Sequence, residues 1–158
     1  MKITIIYDST YGNTKAIADA MTDALGKKHT VRCLCVADAL VRDCTGSDVV
    51  IFGSPTQGGQ PTKRFLEFFQ SMSASALTGI RVACFDTRFR EKDLNFFLQL
   101  LLKTIGYAAP KMGAYATMKG ATLAGKPEGF FVRKKDGPLD EGEIERSIKW
   151  ARKSIGAE

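Results

Sequence analysis

Short apolar runs alternate with amphipathic segments along this chain, and the alternation predicts β-strands separated by α-helices. Lys2–Tyr7 reads KITIIY and predicts the first strand. Ile17, Met21 and Leu25 recur every four residues, which places them on one face of a helix predicted over Thr14–Leu25. The chain therefore opens with a strand, a loop and a helix, and the pattern then repeats this unit.

The remaining strands and helices follow from the same pattern. Strands are expected at Thr30–Val36, Asp48–Phe52 and Ile80–Phe85, with a fifth that begins near Lys111 and resumes at Phe130–Val132 after an irregular insertion, Thr117–Gly129. Helices are expected from Thr62, which caps a phenylalanine-rich segment, from Asp93 to Gly106, and from Asp140, where Glu143 completes a capping box.

These strand–helix alternations predict the fold class. They favour an α/β protein with one open parallel sheet that carries helices on both faces, in one domain over residues 1–158. Ligands bind such sheets at the carboxyl ends of the strands, where the strand order reverses. We therefore expect the functional residues in the loops that follow strands one, three and four.

Composition narrows the functional classes. Apolar residues make up 44% of the chain and charged residues 25%, as in ordinary globular proteins. The single histidine excludes a multi-histidine metal site and the four cysteines show no CxxC spacing, so no metal is expected. No apolar run reaches the ~18 residues that span a bilayer, and the first residues do not resemble a signal peptide, so the cytoplasm is the expected location.

The net charge of +6 is concentrated in the second half of the chain. Within 103–135 every charged side chain except Glu128 is basic. Two interpretations stay open: this segment meets an anionic partner or a membrane surface, or it is an ordinary solvated lysine-rich face. The basic residues are spaced apart and accompany no nucleic-acid-binding motif, so no nucleic-acid partner is expected.

The loop after the first strand has the composition of a phosphate-binding turn. It joins an apolar strand to a helix start and holds hydroxyl groups, one glycine and an asparagine: Ser9, Thr10, Tyr11, Gly12, Asn13 and Thr14. Free helix N–H groups, the positive helix end and hydroxyls together bind phosphate. The residues alone leave a second interpretation open, a plain strand-to-helix turn capped by Asn13.

At this loop the chain resembles the flavodoxin-like family of FMN-binding proteins. The family pattern, Ser/Thr-x-Thr-Gly-x-Thr, matches residues 9–14 except at Tyr11. In having a tyrosine at this position the loop resembles that of related quinone reductases. The loop after strand three, which reads SPTQGGQP, resembles the family's flavin-contacting loop. The resemblance extends along the whole chain in element order.

The resemblance implies a three-layer, doubly wound fold with a five-stranded sheet in the order 2-1-3-4-5. It also implies FMN, with the phosphate at Ser9–Thr14 and the isoalloxazine ring between two further loops. One of these loops comprises Pro55, Thr56, Gln57, Gly58 and Gly59, and the other contributes Asp86, Thr87 and Arg88. No residue is expected to be a proton-transfer catalyst, since the flavin supplies the redox chemistry.

Two details of these loops depart from the family. Residues 54–62 contain no aromatic side chain to stack on the flavin, so Tyr11, Phe89 or a partner subunit would have to replace it. The loop after strand four offers arginines where classical flavodoxins place acidic and aromatic residues. Either Arg88 faces the flavin and makes its redox potential less negative, or it pairs with Asp86.

The helix predicted around 94–105 has too little polar surface. Its polar residues fall mainly at 95, 99 and 103, so apolar side chains occupy the rest of its circumference. One flank is expected on the sheet. The other would be covered by a second subunit, giving a homodimer, by the insertion 117–129, or by a membrane surface on which the helix rests.

These observations favour an FMN-binding flavodoxin-like electron carrier that exchanges electrons with a redox partner protein. A second hypothesis is an FMN-dependent oxidoreductase, either a quinone reductase or an enzyme similar to menaquinone-linked protoporphyrinogen oxidases. The basic charge, the apolar helix and Tyr11 favour this second hypothesis, which would place the protein at the membrane periphery. A third is a flavin-free interaction domain, favoured only by the missing aromatic.

Overall fold

A computed structural model describes residues 1–156 and shows the predicted strand–helix alternation as far as the fourth strand, after which two helices and two short strands follow in succession. The strands are β1 (Lys2–Tyr7), β2 (Thr30–Cys35), β3 (Val49–Pro55), β4 (Arg81–Phe89), β5 (Thr122–Leu123) and β6 (Glu128–Val132). The helices are α1 (Asn13–Gly26), α2 (Lys63–Gln70), α3 (Phe96–Ile105), α4 (Ala108–Met118) and α5 (Glu143–Ile155).

All strands lie in one parallel sheet with the order β2-β1-β3-β4-β5. Two segments share the fifth position, because β5 pairs with the first two residues of β4 and β6 pairs with its last five, Phe85–Phe89. The order 2-1-3-4-5 that the family resemblance implied is confirmed. The strand order reverses between β1 and β3, so a ligand site is expected at the carboxyl ends of these two strands.

Helices cover both faces of the sheet, and each face has its own hydrophobic core. Phe52 of β3 packs among three phenylalanines of α2, with ring centroids 5.1–6.3 Å apart. On the opposite face Phe85 of β4 packs against Phe130 and Trp150, between α1 and α5. Because β1, β3 and β4 are buried on both faces, they are continuous apolar runs rather than alternating ones.

Two strands extend further than their apolar runs predict. β3 continues through Gly53, Ser54 and Pro55, which pair in register with residues 85–87 of β4. The expectation that loops begin at Gly53 and Asp86 is therefore wrong. The ladder hydrogen bonds of neighbouring strands hold these polar residues in the sheet, which carries their side chains to the edge of the site.

The region expected to start the fifth strand, near Lys111, is helical. Lys111 lies within α4, whose Ala108, Met112 and Ala116 are completely buried against the sheet. Their spacing of four residues is the helical period, and this explains why the strand prediction failed here. The predicted continuation at Phe130–Val132 is confirmed as the end of β6.

The starts of α1 and α3 differ from the predicted ones, whereas the predicted cap of α2 at Thr62 is confirmed. α1 begins after Gly12, so Asn13 is its first residue and not its cap. Asn95 caps α3, accepting the Leu98 N–H at 2.9 Å, in place of the predicted Asp93. Both caps sit one or two residues from the predicted position, which is the usual uncertainty of a helix end.

The capping box expected at the last helix does not form. α5 begins after Gly142 without a side-chain cap. Glu143 instead accepts the Phe131 N–H at 2.7 Å and pairs with Arg146 at 2.6 Å. Its carboxylate therefore ties α5 to β6 and does not close the helix start.

α3 differs most from expectation, because none of its side chains is buried. Phe96 and Phe97 are 81% and 71% exposed, and segment 117–129 lies along β4 rather than over this helix. The expected packing of one flank on the sheet, and the covering of the other by 117–129, are both wrong. Within residues 1–156 no helix combines the length and apolar content that crossing a bilayer requires.

Candidate functional site

A cavity of about 670 Å³ opens at the carboxyl edge of the sheet, where β1, β3, β4 and β6 end. Its volume lies within the range of small-molecule and cofactor sites. All of the predicted cofactor-binding residues line this cavity except Gly12 and Asp86. The three loops singled out in the sequence therefore converge on one site.

The first loop, residues 8–14, is a tight turn organised by Ser9. The Ser9 Oγ accepts the Gly12 N–H at 3.0 Å and the Lys15 N–H at 3.3 Å. Gly12 does not line the cavity, and its φ of 91° lies in the left-handed region that glycine adopts at little cost. Its role is to turn the chain from β1 into α1.

This turn leaves four backbone N–H groups without an acceptor in the described residues, namely those of Thr10, Tyr11, Asn13 and Thr14. Two of them belong to the first residues of α1, where the helix dipole is positive. Four unpaired donors at a helix start suit an anion with several oxygens, such as a phosphate.

Side-chain hydrogen bonds join the three loops. The Gln57 Nε2 donates to the Thr10 Oγ1 at 3.0 Å, which connects the second loop to the first. The hydroxyls of Thr14 and Thr87 are hydrogen bonded at 2.9 Å and buried, which connects α1 to the end of β4. The Thr56 N–H donates to the Thr87 carbonyl at 3.0 Å. The cavity walls are therefore held in place before any ligand binds.

Gln57 and Gln60 close a two-residue turn through reciprocal backbone hydrogen bonds of 2.9 and 3.0 Å. The central Gly58 and Gly59 both have positive φ, 56° and 75°, as a type I′ turn requires. A side chain at Gly59 would overlap Ile105 of α3. The glycine pair thus lets α3 approach the second loop closely.

Asp86 and Arg88 form a two-pronged ion pair beside the cavity. The guanidinium of Arg88 donates to the two carboxylate oxygens at 2.5 and 2.7 Å, and the Ala109 N–H donates to the same carboxylate at 2.8 Å. Asp86 is completely buried, and this burial raises its pKa while Arg88 and Ala109 oppose the rise. Of the two interpretations of Arg88, the structure shows the one in which it pairs with Asp86. The less negative redox potential was expected only if an unpaired Arg88 charge faced the flavin, and this condition is not met.

Tyr107 lines the cavity and was not identified from the sequence. The guanidinium of Arg88 lies 3.7 Å from the centre of its ring, and its hydroxyl donates to Glu91 at 2.8 Å. Burial, followed by the Glu91 carboxylate, raises the pKa of Tyr107 to about 12, so the phenol keeps its proton at neutral pH. Nothing in its sequence surroundings marks it, because its position depends on where α4 begins.

Two further aromatic residues at the cavity, Tyr11 and Phe89, were named from the sequence as replacements for the missing stacking residue. They are 50% and 37% exposed, so each presents ring surface that no other part of the chain covers. Together with Tyr107, they give the site three aromatic side chains although residues 54–62 have none.

α3 supplies an apolar wall of the cavity. The contributing side chains are those of Leu98, Leu101, Leu102 and Ile105, with Leu94 just before the helix. The apolar excess of this helix was visible in the sequence but was assigned to a subunit, insertion or membrane contact. The signal that would have placed the helix at the cavity is its position directly after the third of the predicted ligand-binding loops.

The turn between β6 and α5 closes the cavity on the side of the first loop. Lys135 of this turn lines the cavity, while Lys119 lies at the opposite edge of the sheet and donates to the Met72 carbonyl at 2.7 Å. Lys119 and Lys135, both within the basic segment 103–135, therefore lie in different places, and the segment's proposed anionic partner stays a prediction. Of these two lysines, Lys135 reaches the site.

The residues present fit an amphipathic phosphorylated ring such as FMN. Unpaired N–H groups and hydroxyls lie at one end of the cavity, and aromatic and aliphatic side chains form the wall at α3. Among residues 1–156 no cluster of histidine, cysteine, aspartate and glutamate has the arrangement of a metal site.

Comparisons by sequence match this chain to one family. The family model described as flavodoxin matches residues 5–87. A flavodoxin of Maridesulfovibrio salexigens is 30% identical over 132 residues, which cover 80% of this chain and 88% of that protein.

Solved structures show the same fold. Oxidised flavodoxin 1 from Bacillus cereus superposes with a TM-score of 0.77 at 17% identity, covering 99% of this chain and 98% of its own. Oxidised flavodoxin 2 from the same organism gives 0.76 at 24% identity, covering 99% of both chains.

Proposed function

Since the chain belongs to the flavodoxin family and is an FMN-binding electron-transfer protein, we propose that the cavity described above is its FMN site. The observation that carries this proposal is the convergence of three predicted loops on one cavity with unpaired donors at one end and an apolar wall. Bound FMN supplies reversible electron transfer, while the chain binds and orients it.

In this proposal the first loop binds the phosphate. The N–H groups of Thr10, Tyr11, Asn13 and Thr14 donate to its oxygens, and the hydroxyl of Thr10 adds a further contact. Ser9 acts differently from the sequence-based expectation, since its hydroxyl already accepts two backbone N–H groups and shapes the turn. The phosphate contacts are therefore mainly backbone donors.

The flavin ring lies, in this proposal, between the Gln57–Gln60 turn and α3. Pro55, Thr56 and Gly58 border one side, and the leucines of α3 that line the cavity border the other, namely Leu98, Leu101 and Leu102. Tyr107 and Phe89 offer ring surface at the far end, and the Asp86–Arg88 pair holds Tyr107 in place without adding net charge. No side chain of the cavity is assigned a proton-transfer role.

The comparisons do not favour the enzyme hypotheses or the flavin-free domain. We propose that the physiological acceptor or donor is a redox partner protein that binds over α3. The exposed Phe96, Phe97 and Leu100 do not line the cavity, and they adjoin side chains that do. A partner bound there lies next to the proposed ring position. A second copy of the chain is the competing occupant.

We also propose that the protein acts in the cytoplasm. All four cysteines are unpaired thiols, and Cys44 and Cys84 are buried. Unpaired thiols are typical of proteins in reducing compartments.

The phosphate site is tested by placing a negative charge at Thr10, which is exposed and lines the cavity. Thr10→Glu should raise the Kd of FMN at least tenfold, because like charges repel, and leave the Kd of riboflavin nearly unchanged. Thr45→Glu is the matched control, since Thr45 is exposed and outside the cavity. Flavin fluorescence titration measures each Kd.

Two results would contradict the proposed site. One is an unchanged FMN affinity in Thr10→Glu. The other is an equal loss in Thr45→Glu, which would mean that overall charge and not the first loop determines binding.

A further inference from the structure

The charge balance of the cavity leaves one basic side chain without a carboxylate partner in the described residues. Two cationic side chains line the cavity, Arg88 and Lys135. Arg88 is neutralised by Asp86, whereas Lys135 forms no ion pair within residues 1–156. Lys15, the basic residue nearest in sequence to the first loop, is paired with Asp19 at 2.6 Å and does not line the cavity.

The turn that carries Lys135 is fixed against the first loop. The Arg133 N–H donates to the Pro138 carbonyl at 2.9 Å, and the Gly137 N–H donates to the Lys134 carbonyl at 3.0 Å. Gly137 is buried, and a Cβ there would come within 2.5 Å of the Asn13 Oδ1. The turn therefore packs on the start of α1, where the unpaired N–H groups lie.

If FMN binds in the proposed site, one residue outside the three loops also contacts its phosphate. We propose that Lys135 is a specificity-determining residue that pairs with the FMN phosphate across the cavity mouth. A phosphate monoester carries a charge of about −1.5 to −2 at pH 7. The first loop offers this group only neutral donors, and Lys135 is the lining cation free to balance its charge. Lys135 thereby favours the phosphorylated flavin over riboflavin, which makes the same ring contacts but has no phosphate.

Lys134 provides the matched control. It lies on the same turn, is exposed, and does not line the cavity. Lys134→Gln and Lys135→Gln remove the same charge from neighbouring positions, so a difference between them isolates the contact in the cavity from the net charge of the protein.

The experiment measures the Kd of FMN and of riboflavin by fluorescence titration at low and at high salt. We expect Lys135→Gln to raise the FMN Kd about tenfold at low salt and less than twofold at 0.5 M salt, where the Debye length is roughly 4 Å. The riboflavin Kd should change less than twofold in every variant. Lys134→Gln should resemble the unchanged protein, and Lys135→Arg should keep most of the FMN affinity.

The inference is overturned if FMN and riboflavin lose affinity equally in Lys135→Gln, because that pattern indicates a structural role for the turn. It is also overturned if the two glutamine variants behave alike or if the loss does not depend on salt. If the unchanged chain binds neither flavin, the proposed site itself fails, which is a distinct outcome.

Discussion

At the scale of single residues, the buried Asp86–Arg88 pair joins the end of β4 to the start of α4 beside the cavity. Asp86 is completely buried and accepts hydrogen bonds from Arg88 on β4 and from Ala109 at the start of α4. Arg88 in turn covers one face of the Tyr107 ring. Removing one member of a buried pair leaves an uncompensated charge, which costs more than the pair itself contributes.

Arg88→Ala should therefore lower the free energy of unfolding by about 3 kcal/mol at pH 7. Burial already raises the pKa of Asp86, and loss of the guanidinium raises it further. A carboxyl group whose pKa is higher in the folded than in the unfolded state stabilises the folded protein as the pH falls. The loss of unfolding free energy in Arg88→Ala should therefore shrink as the pH falls towards 4. Urea unfolding of the variant and of the unchanged protein, from pH 7 to pH 4, measures this difference in free energy.

Arg133→Ala is the control for this prediction. Arg133 pairs with Asp140 at 3.2 Å at a half-exposed position, and Asp140 keeps a second partner, Arg90. Arg133→Ala should lower the free energy of unfolding by at most about 0.5 kcal/mol, and this change should depend little on pH. An equal cost for the two arginine variants would mean that the Asp86 pair is no more important than a surface one.

At the scale of secondary-structure elements, α3 is the least anchored part of the site and yet forms one wall of it. It has no buried side chain, so its stability comes from its own hydrogen bonds, its Asn95 cap and the contact of Ile105 with Gly59. Its two sides differ, because Leu101 lines the cavity and Leu100 does not. We expect α3 to bind the flavin ring on one side only.

Leu101→Ala should raise the Kd of FMN and that of riboflavin equally, by about five- to tenfold, because both flavins have the ring that the side chain contacts. The lost contact buries roughly 50 Å² of apolar surface, at about 25 cal/mol per Å². Leu100→Ala should leave both affinities unchanged. Calorimetric titration of the two variants measures this difference. A loss confined to FMN, or one shared by Leu100→Ala, would show that α3 does not contact the ring as proposed.

At the scale of the whole molecule, the cavity and the exposed side of α3 lie at one edge of the sheet. Phe97 is 71% exposed and does not line the cavity, so flavin in the proposed site leaves it available for another protein. A partner that binds there approaches the flavin closely, whereas a second copy of the chain would cover the same surface and block that approach. The two occupants therefore exclude each other.

Sedimentation velocity over a range of concentrations distinguishes these occupants. We expect a monomer both for the unchanged chain and for Phe97→Glu, with equal FMN affinity. This result leaves the surface free for a redox partner. A dimer that Phe97→Glu dissociates would assign α3 to self-association and overturn the proposed partner surface.

Local sequence patterns predicted most of the element order, except that α4 was predicted as a strand, and they pointed to the loops that line the cavity. The apolar runs of β1, β3 and β4 need no partner to be recognised, because strands buried on both faces must be apolar throughout. The composition of residues 9–14 is a local feature that suits a phosphate-binding turn, although by itself it suits a plain strand-to-helix turn as well. Family resemblance added the identity of the flavin and the strand order 2-1-3-4-5.

Tertiary structure alone decided which partners each side chain meets. Arg88 had two chemically reasonable positions, and the burial of Asp86 beside α4 selected one of them. Tyr107 and Lys135 enter the site because α4 and the turn before α5 return to the same sheet edge from distant parts of the chain. Local patterns specify what a segment is, but long-range packing determines what lies next to it.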